Sequence, residues 1–183
     1  MEQLGSMLGP LSHRLATLSA VAITPSPEIV LTSLDGDARP LEEWLTTFHL
    51  ASVVLDPYTN ESSWILRTAA RVLETFRGSD ARVNFVLTCP RAEARVFLGP
   101  LADDFLVYCD PDRAFVSGLG LATLPAFVFL RTDGTVQAAA EGWNSREWRA
   151  VADTIATATA WSSPNLPTAA DPGPFHGTPA SAG

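Results

Sequence analysis

From Glu28 onward the chain alternates short apolar runs with amphipathic stretches. EIVLTSL predicts a strand, closed by the turn signal Asp35-Gly36. PLEEWLTTF predicts a helix, with Pro40 near its start and Glu42 and Glu43 in the first turn, where the helix dipole favours acidic groups. ASVVLD reads as a short buried strand. ESSWILRTAARVLETFRG is the clearest helix: Ile65, Ala69, Val72 and Phe76 fall on one face, and Gly78 follows as a stop. ARVNFVLT predicts a strand, PRAEARVFLGPL a helix ending near Gly99-Pro100, and DFLVYC another strand. PDRAFVSGLG predicts a short helix with Asp110 as N-cap and Pro111 in the first position. LPAFVFL is a strand of aromatic and branched residues, and Asp133-Gly134 turns it into the returning strand TVQAAAEGW. Asn144 or Ser145 then caps a last helix, REWRAVADTIATATA, with Trp148, Val151 and Ile155 at helical spacing.

The two ends read differently. In residues 1–27, LSHRLATLSAVA predicts a short helix with Leu11, Leu15 and Leu18 on one face. A secretory signal needs a basic start and a continuous apolar run. Glu2 is acidic, and the run from Leu15 to Ile23 is broken by Thr and Ser, so the segment reads as the N-terminal helix and linker of a cytoplasmic protein. Residues 161–183 hold five prolines and three glycines and build no core, which predicts an extended or disordered tail. Leu166 and Phe175 are its apolar anchors, able to dock on the domain or on a partner. Between these ends, residues 28–160 read as one domain.

Strands alternating with helices predict an α/β fold with a central mixed sheet of about five strands and helices on both faces. The closing hairpin makes one edge antiparallel. Composition narrows the function. The 183 residues carry 12 basic against 20 acidic side chains, a net charge of −8 that disfavours nucleic acid. No apolar run is long enough for a membrane span. Every basic residue is arginine, which excludes lysine chemistry such as a Schiff base. Three histidines, two of them near the chain ends, and two cysteines supply no clustered metal site, and no metal or cofactor is expected.

Three stretches carry a family resemblance. IVLTSLDGDARPLEEW, ASVVLDPYTNESSWILRTAARVLETF and DPDRAFVSGLGLATLPAFVFLRTDGTVQAAAEGW together resemble the thioredoxin-like superfamily, in its peroxiredoxin-like and cytochrome-maturation branches. The resemblance covers roughly residues 28–160. The third stretch is the most specific, and it implies that the Leu124–Pro125 peptide is cis and faces the active-site loop. The catalytic residues do not carry over. The family's Cys-x-x-Cys falls on Ser63-Trp64-Ile65-Leu66, and the peroxiredoxin pattern Thr-x-x-Cys falls on Thr59-Asn60-Glu61-Ser62. Either way the nucleophile is a serine or is missing, and a serine hydroxyl does not replace a thiolate.

The remaining chemistry is limited. Cys89 and Cys109 each end a strand, where α/β sheets bind ligands, and Cys89 has Arg91 nearby. Their ordinary reading is as small buried side chains. Ser62 or Ser63 as a hydrolase nucleophile lacks a base, since His49 lies at the other end of its strand and no Gly-x-Ser-x-Gly is present. The pairs Glu42-Glu43, Asp103-Asp104 and Asp110/Asp112 suit helix starts better than acid–base work. Arg67 and Arg71 share a helix face, with Glu74 placed to pair with Arg71. The loop 57–64 is richer: Asn60 or Ser62 would cap the helix and Trp64 pack on the sheet. The resemblance implies a groove formed by Tyr58, Thr59, Asn60, Ser62, Ser63 and Trp64 with Thr123, Leu124 and Pro125. The expected function is a redox-inactive module binding another protein or extended peptide through that groove. The alternative is an unconventional thiol oxidoreductase or peroxidase using Cys89 or Cys109. A weaker third reading is a small-molecule sensor using the aromatic residues.

Overall fold

Branched and aromatic residues dominate the segments that become strands. In the computed structural model, which describes residues 22–181, they build one seven-stranded mixed sheet. The elements run β1 (Val30–Ser33), β2 (Ala38–Pro40), α1 (Leu41–Trp44), β3 (His49–Leu55), α2 (Asn60–Thr75), β4 (Ala81–Leu87), α3 (Arg91–Leu98) and α4 (Leu101–Asp104). They continue as β5 (Leu106–Cys109), α5 (Ala114–Gly118), β6 (Thr123–Leu124), β7 (Ala126–Leu130), β8 (Val136–Glu141), α6 (Ser145–Thr159) and β9 (Thr178–Pro179). The sheet order is β2-β1-β5-β4-β3-β7-β8. The strands β3, β4 and β5 are parallel, while β7 lies antiparallel to β3 and forms the expected hairpin with β8.

The helix periodicity sets the two cores. Ile65, Ala69 and Val72 of α2 and Phe76 at its C-cap are all fully buried, and with Trp148, Val151 and Ile155 of α6 they cover one sheet face. The Val, Ile and Phe side chains among them each contribute about 1.5–3 kcal/mol by leaving water. The other face carries Leu50, Val54, Val86, Tyr108 and Val128 beneath α1, α5 and the linker at Ala22 and Ile29. Trp44 is anchored there by donating its indole N–H to the Leu31 carbonyl at 3.2 Å.

Several expectations are corrected. The sheet has seven strands rather than about five: all six segments read as strands join it, and 38–40 add β2, which pairs back on β1. The helix expected over 40–48 is a single turn, ending at Trp44. The helix expected from Pro90 does end at Gly99 (φ 55°), but a further short helix, α4, follows Pro100 and was not expected. Asp110 is not the N-cap residue of α5. Arg113 occupies that position at φ 57°, and the Asp110 carboxylate reaches over to accept the Phe115 and Val116 N–H groups at 3.1–3.2 Å. Asn144 does cap α6, its Oδ1 accepting from Arg146 N–H at 2.9 Å. The helix expected in the first twenty-seven residues falls almost wholly outside the described residues.

The largest correction concerns the tail. The segment expected to be extended or disordered is extended but packed and hydrogen-bonded against the domain. Trp161 closes α6 by donating its N–H to the Ala156 carbonyl at 2.9 Å. Leu166 is 2 % exposed and joins the core under α2 and α6. Composition measures whether a segment can build a core, and says nothing about whether it can borrow one.

Candidate functional site

Parallel β3, β4 and β5 end on one edge of the sheet, and the chain departures there collect the polar groups. Asp56 follows β3 and is 6 % exposed. Its Oδ1 accepts the Tyr58 N–H at 3.0 Å and its Oδ2 accepts from Arg113 at 2.8 Å. The Asp56 N–H donates to Ser62 Oγ at 2.9 Å, and Thr59 Oγ1 donates to the Asp56 carbonyl at 2.9 Å. The loop from 56 to 62 is thus folded on itself by hydrogen bonds between its own groups.

This bonding assigns each expected site residue a place. Ser62 is fully buried, and its hydroxyl serves the backbone of Asp56 rather than capping α2. Thr59, not Asn60 or Ser62, is the N-cap residue, and no side chain accepts from the first turn. Asn60 and Ser63 are exposed. Trp64 is 56 % exposed and does not pack on the sheet. Its ring meets Phe175 of the tail edge-on, centroids 5.7 Å apart. Tyr58 is exposed and engages a different neighbour, its hydroxyl donating to Glu93 of α3. The two aromatics therefore work on separate sides of the loop.

Across the edge, Leu124–Pro125 is cis, as the resemblance implies. Leu124 is fully buried, and the backbone of Thr123–Leu124 forms β6. Its partner was not expected from the sequence: β9 of the tail pairs antiparallel with it, Thr123 opposite Pro179 and Leu124 opposite Thr178. Ala180 N–H donates to the Ala122 carbonyl at 2.9 Å, and Arg113 donates to the Ala180 carbonyl at 2.7 Å. Arg113 therefore ties the loop carboxylate to the tail. On the other flank Trp143 and Phe175 exchange backbone hydrogen bonds at 2.9 and 3.0 Å. Gly142 sits beside them at φ 69°, where a Cβ would stand 2.9 Å from Gly177 N. The signals that could have found this contact were Phe175 and Leu166, apolar residues in an otherwise polar tail.

The tail is also latched farther up. Asp171 accepts from Arg71 at 2.7 Å, from Thr68 Oγ1 at 2.8 Å and from Thr168 N–H at 2.6 Å. Burial pushes this carboxyl up, but those hydrogen bonds outweigh it and hold it below the ordinary carboxylate range. Arg71 is thereby taken by the tail, and Glu74 pairs with Arg77 instead, at 2.7 Å.

Neither thiol is presented to solvent. Cys89 is 1 % and Cys109 4 % exposed. Burial first, then the neighbouring Cys109 and Asp56, push the Cys89 thiol up to about 12. Burial also raises Cys109, partly offset by Arg91 and Arg95. The arginine expected to favour Cys89 thus acts on Cys109. A thiolate at either position is disfavoured at neutral pH. His49 opens β3 at the far edge, where its Nδ1 accepts the Thr132 N–H at 3.1 Å, so it does not face Ser62. Burial likewise raises the Asp110 carboxyl, with the Val116, Phe115 and Ala114 N–H groups pulling it back only in part. No group of three or more histidine, cysteine or carboxylate side chains suited to a metal ion occurs among the described residues.

Parallel β3, β4 and β5, the antiparallel β7–β8 hairpin beside β3 and helices on both faces of the sheet define a thioredoxin-like fold. Comparison with solved structures agrees. A secreted Mycobacterium tuberculosis disulfide oxidoreductase homologous to E. coli DsbE matches at 18% identity and TM-score 0.51, over 62% of this chain and 82% of its own. Peroxiredoxin Q of Xanthomonas campestris matches at 14% and 0.58, over 73% and 91%. The exposed lipoprotein thioredoxin of Streptococcus pneumoniae matches at 15% and 0.56, over 70% and 98%. At such identities the likeness is one of fold. Neither the protein-family models nor the curated proteins give a match.

Proposed function

We propose that this chain is a protein-binding module on a thioredoxin-like fold, which takes an extended segment of a protein partner along Thr123–Leu124 and performs no thiol–disulfide chemistry at the start of α2. One observation carries the reading: the backbone edge before Pro125 is already paired with an extended segment. Strand addition of this kind uses main-chain groups and shallow side pockets and needs no cysteine. Trp64 supplies an aromatic contact to the same tail, at Phe175. Ser62, in the position of the peroxiredoxin nucleophile, is buried and committed to the Asp56 backbone. The net charge of −8 argues against a nucleic-acid partner. A cytoplasmic location belongs to the proposal, and cell fractionation tests it separately.

The test is panning of a displayed peptide library, at high valency, against the full chain. The reading predicts enriched extended sequences whose binding weakens about tenfold in Trp64→Ala and is unchanged in Cys89→Ser and Cys109→Ser. The alternative thiol enzyme draws support from the oxidoreductases among the fold neighbours. Turnover of a small disulfide or peroxide that is abolished by either Cys→Ser substitution would establish that alternative and reject the binding module.

A further inference from the structure

The segment on Thr123–Leu124 has the character of a ligand. Between Gly173 and Pro179 only Phe175, Gly177 and Thr178 are even half-buried, and Ala180 alone is enclosed. What holds the segment is mostly main chain: the β6 pairing, the Ala180–Ala122 bond and the Trp143–Phe175 exchange. Its receptor is contributed by the domain. Among the described residues β6 has no strand partner except β9, so without the tail it presents an open edge.

The fit is also selective. A Cβ on Gly177 would lie 2.5 Å from the Leu124 carbonyl oxygen, so no other residue enters at that point without displacing the strand. Gly142 opposes it with the same requirement from the receptor side. Two positions before Gly177, Phe175 meets Trp64. One position after it, Thr178 Oγ1 reaches the Leu124 carbonyl at 3.4 Å. Three positions after it, a small residue, Ala180, is 1 % exposed.

Building on the proposed binding role, we infer that residues 175–180 are a tethered ligand that closes the groove. The partner is a protein bearing an extended segment of the same pattern: an aromatic residue, glycine two positions later, then a hydroxyl residue, and a small residue two positions beyond that. Such a segment competes with the tail for one site. Tethering gives the tail a high effective concentration, so a free segment binds the resting chain weakly and binds strongly once the tail is displaced.

The test uses the full chain and Gly177→Ala, with a labelled peptide Pro-Gly-Pro-Phe-His-Gly-Thr-Pro-Ala-Ser as the probe, read by fluorescence anisotropy. Hydrogen exchange monitors residues 173–181, with α2 and α6 as the control for folding. The expected result is loss of protection confined to 173–181 in Gly177→Ala, and probe binding at least about tenfold tighter than to the wild type. A probe with alanine in place of its glycine should bind neither protein. Where Gly177→Ala leaves the tail protected, Gly177→Val, with its larger clash, serves as the second variant, and a tail still protected overturns the inference. Equal probe affinity for wild type and a tail-exposed variant also overturns it. Library peptides that bind without being displaced by the probe overturn this inference and leave the proposed function standing. A tail-exposed variant that binds neither probe nor library peptides overturns both. A concentration-dependent dimer that forms by exchange of tails and is lost in Gly177→Ala rejects the assignment of the tail to its own groove.

Discussion

Asp171 illustrates how single side chains secure a segment that has almost no core of its own. Its side chain is 2 % exposed and faces Arg71 and Thr68, so the charge is both buried and hydrogen-bonded. Hydrogen bonds to charged groups contribute about 1.5–3 kcal/mol each, and Asp171→Ala should lower stability by about 1–3 kcal/mol in urea denaturation. The pH dependence has a definite sign. An unfolded aspartate titrates near about 3.9, and Asp171 in the folded chain titrates below its ordinary value. Its contribution is therefore complete above the unfolded value and is lost as pH falls through the folded one. Protease cleavage within 162–181 should stay slow at neutral and mildly acidic pH and rise below about pH 4. In Asp171→Ala the cleavage should already be fast at neutral pH. Ser62 is the second residue of this type: Ser62→Ala removes the acceptor of the Asp56 N–H, and a buried donor left unpaired costs about 1–3 kcal/mol. Stability that is unchanged in Ser62→Ala would show that the loop does not depend on this bond.

Helices and strands were legible from the sequence to the degree that one of their faces is buried. The spacing of Ile65, Ala69, Val72 and Phe76 defines the inward face of α2, and the same spacing already turns Trp64 away from it. Its exposure was misread because the residue is aromatic, and position on the helix decided the outcome. The Asn144 cap was readable because the side chain bonds locally, and Asn144→Ala should cost about 0.5–2 kcal/mol. Trp148 fills the space between α6 and Phe127, so Trp148→Ala should cost about 3–5 kcal/mol, measured by thermal and chemical unfolding. β2 and β9 were not legible. They are two or three residues long, contain proline, and exist only because a neighbouring edge accepts them. The cap of α5 was half legible: Asp110 is the acid that serves its N-terminus, but it acts across Arg113 in a left-handed conformation, which spacing rules do not anticipate.

At the scale of the molecule, the fold places three groups on one rim: the self-bonded loop after β3, the cis-proline edge and the end of the tail. The resemblance supplied the first two, because they lie within the stretch it covers. The third lay in a segment whose composition carries no pairing information, so the β6–β9 pairing emerged only from the three-dimensional structure. The same rim holds the only two cysteines of the chain, and both are buried beneath it with their thiols pushed up. The proposed binding role needs no redox partner, and under it the thiols should behave as packing groups. The most direct measurement is therefore the rate of native-state thiol modification as a function of pH, on the full chain with Cys89→Ser and Cys109→Ser alongside. The account predicts that each thiol reacts no faster than the protein opens, with no increase in rate from a titration below about pH 8, the ordinary thiol value being about 8.5. A thiol that reacts rapidly in the folded protein with a midpoint well below that value would contradict it and identify the nucleophile.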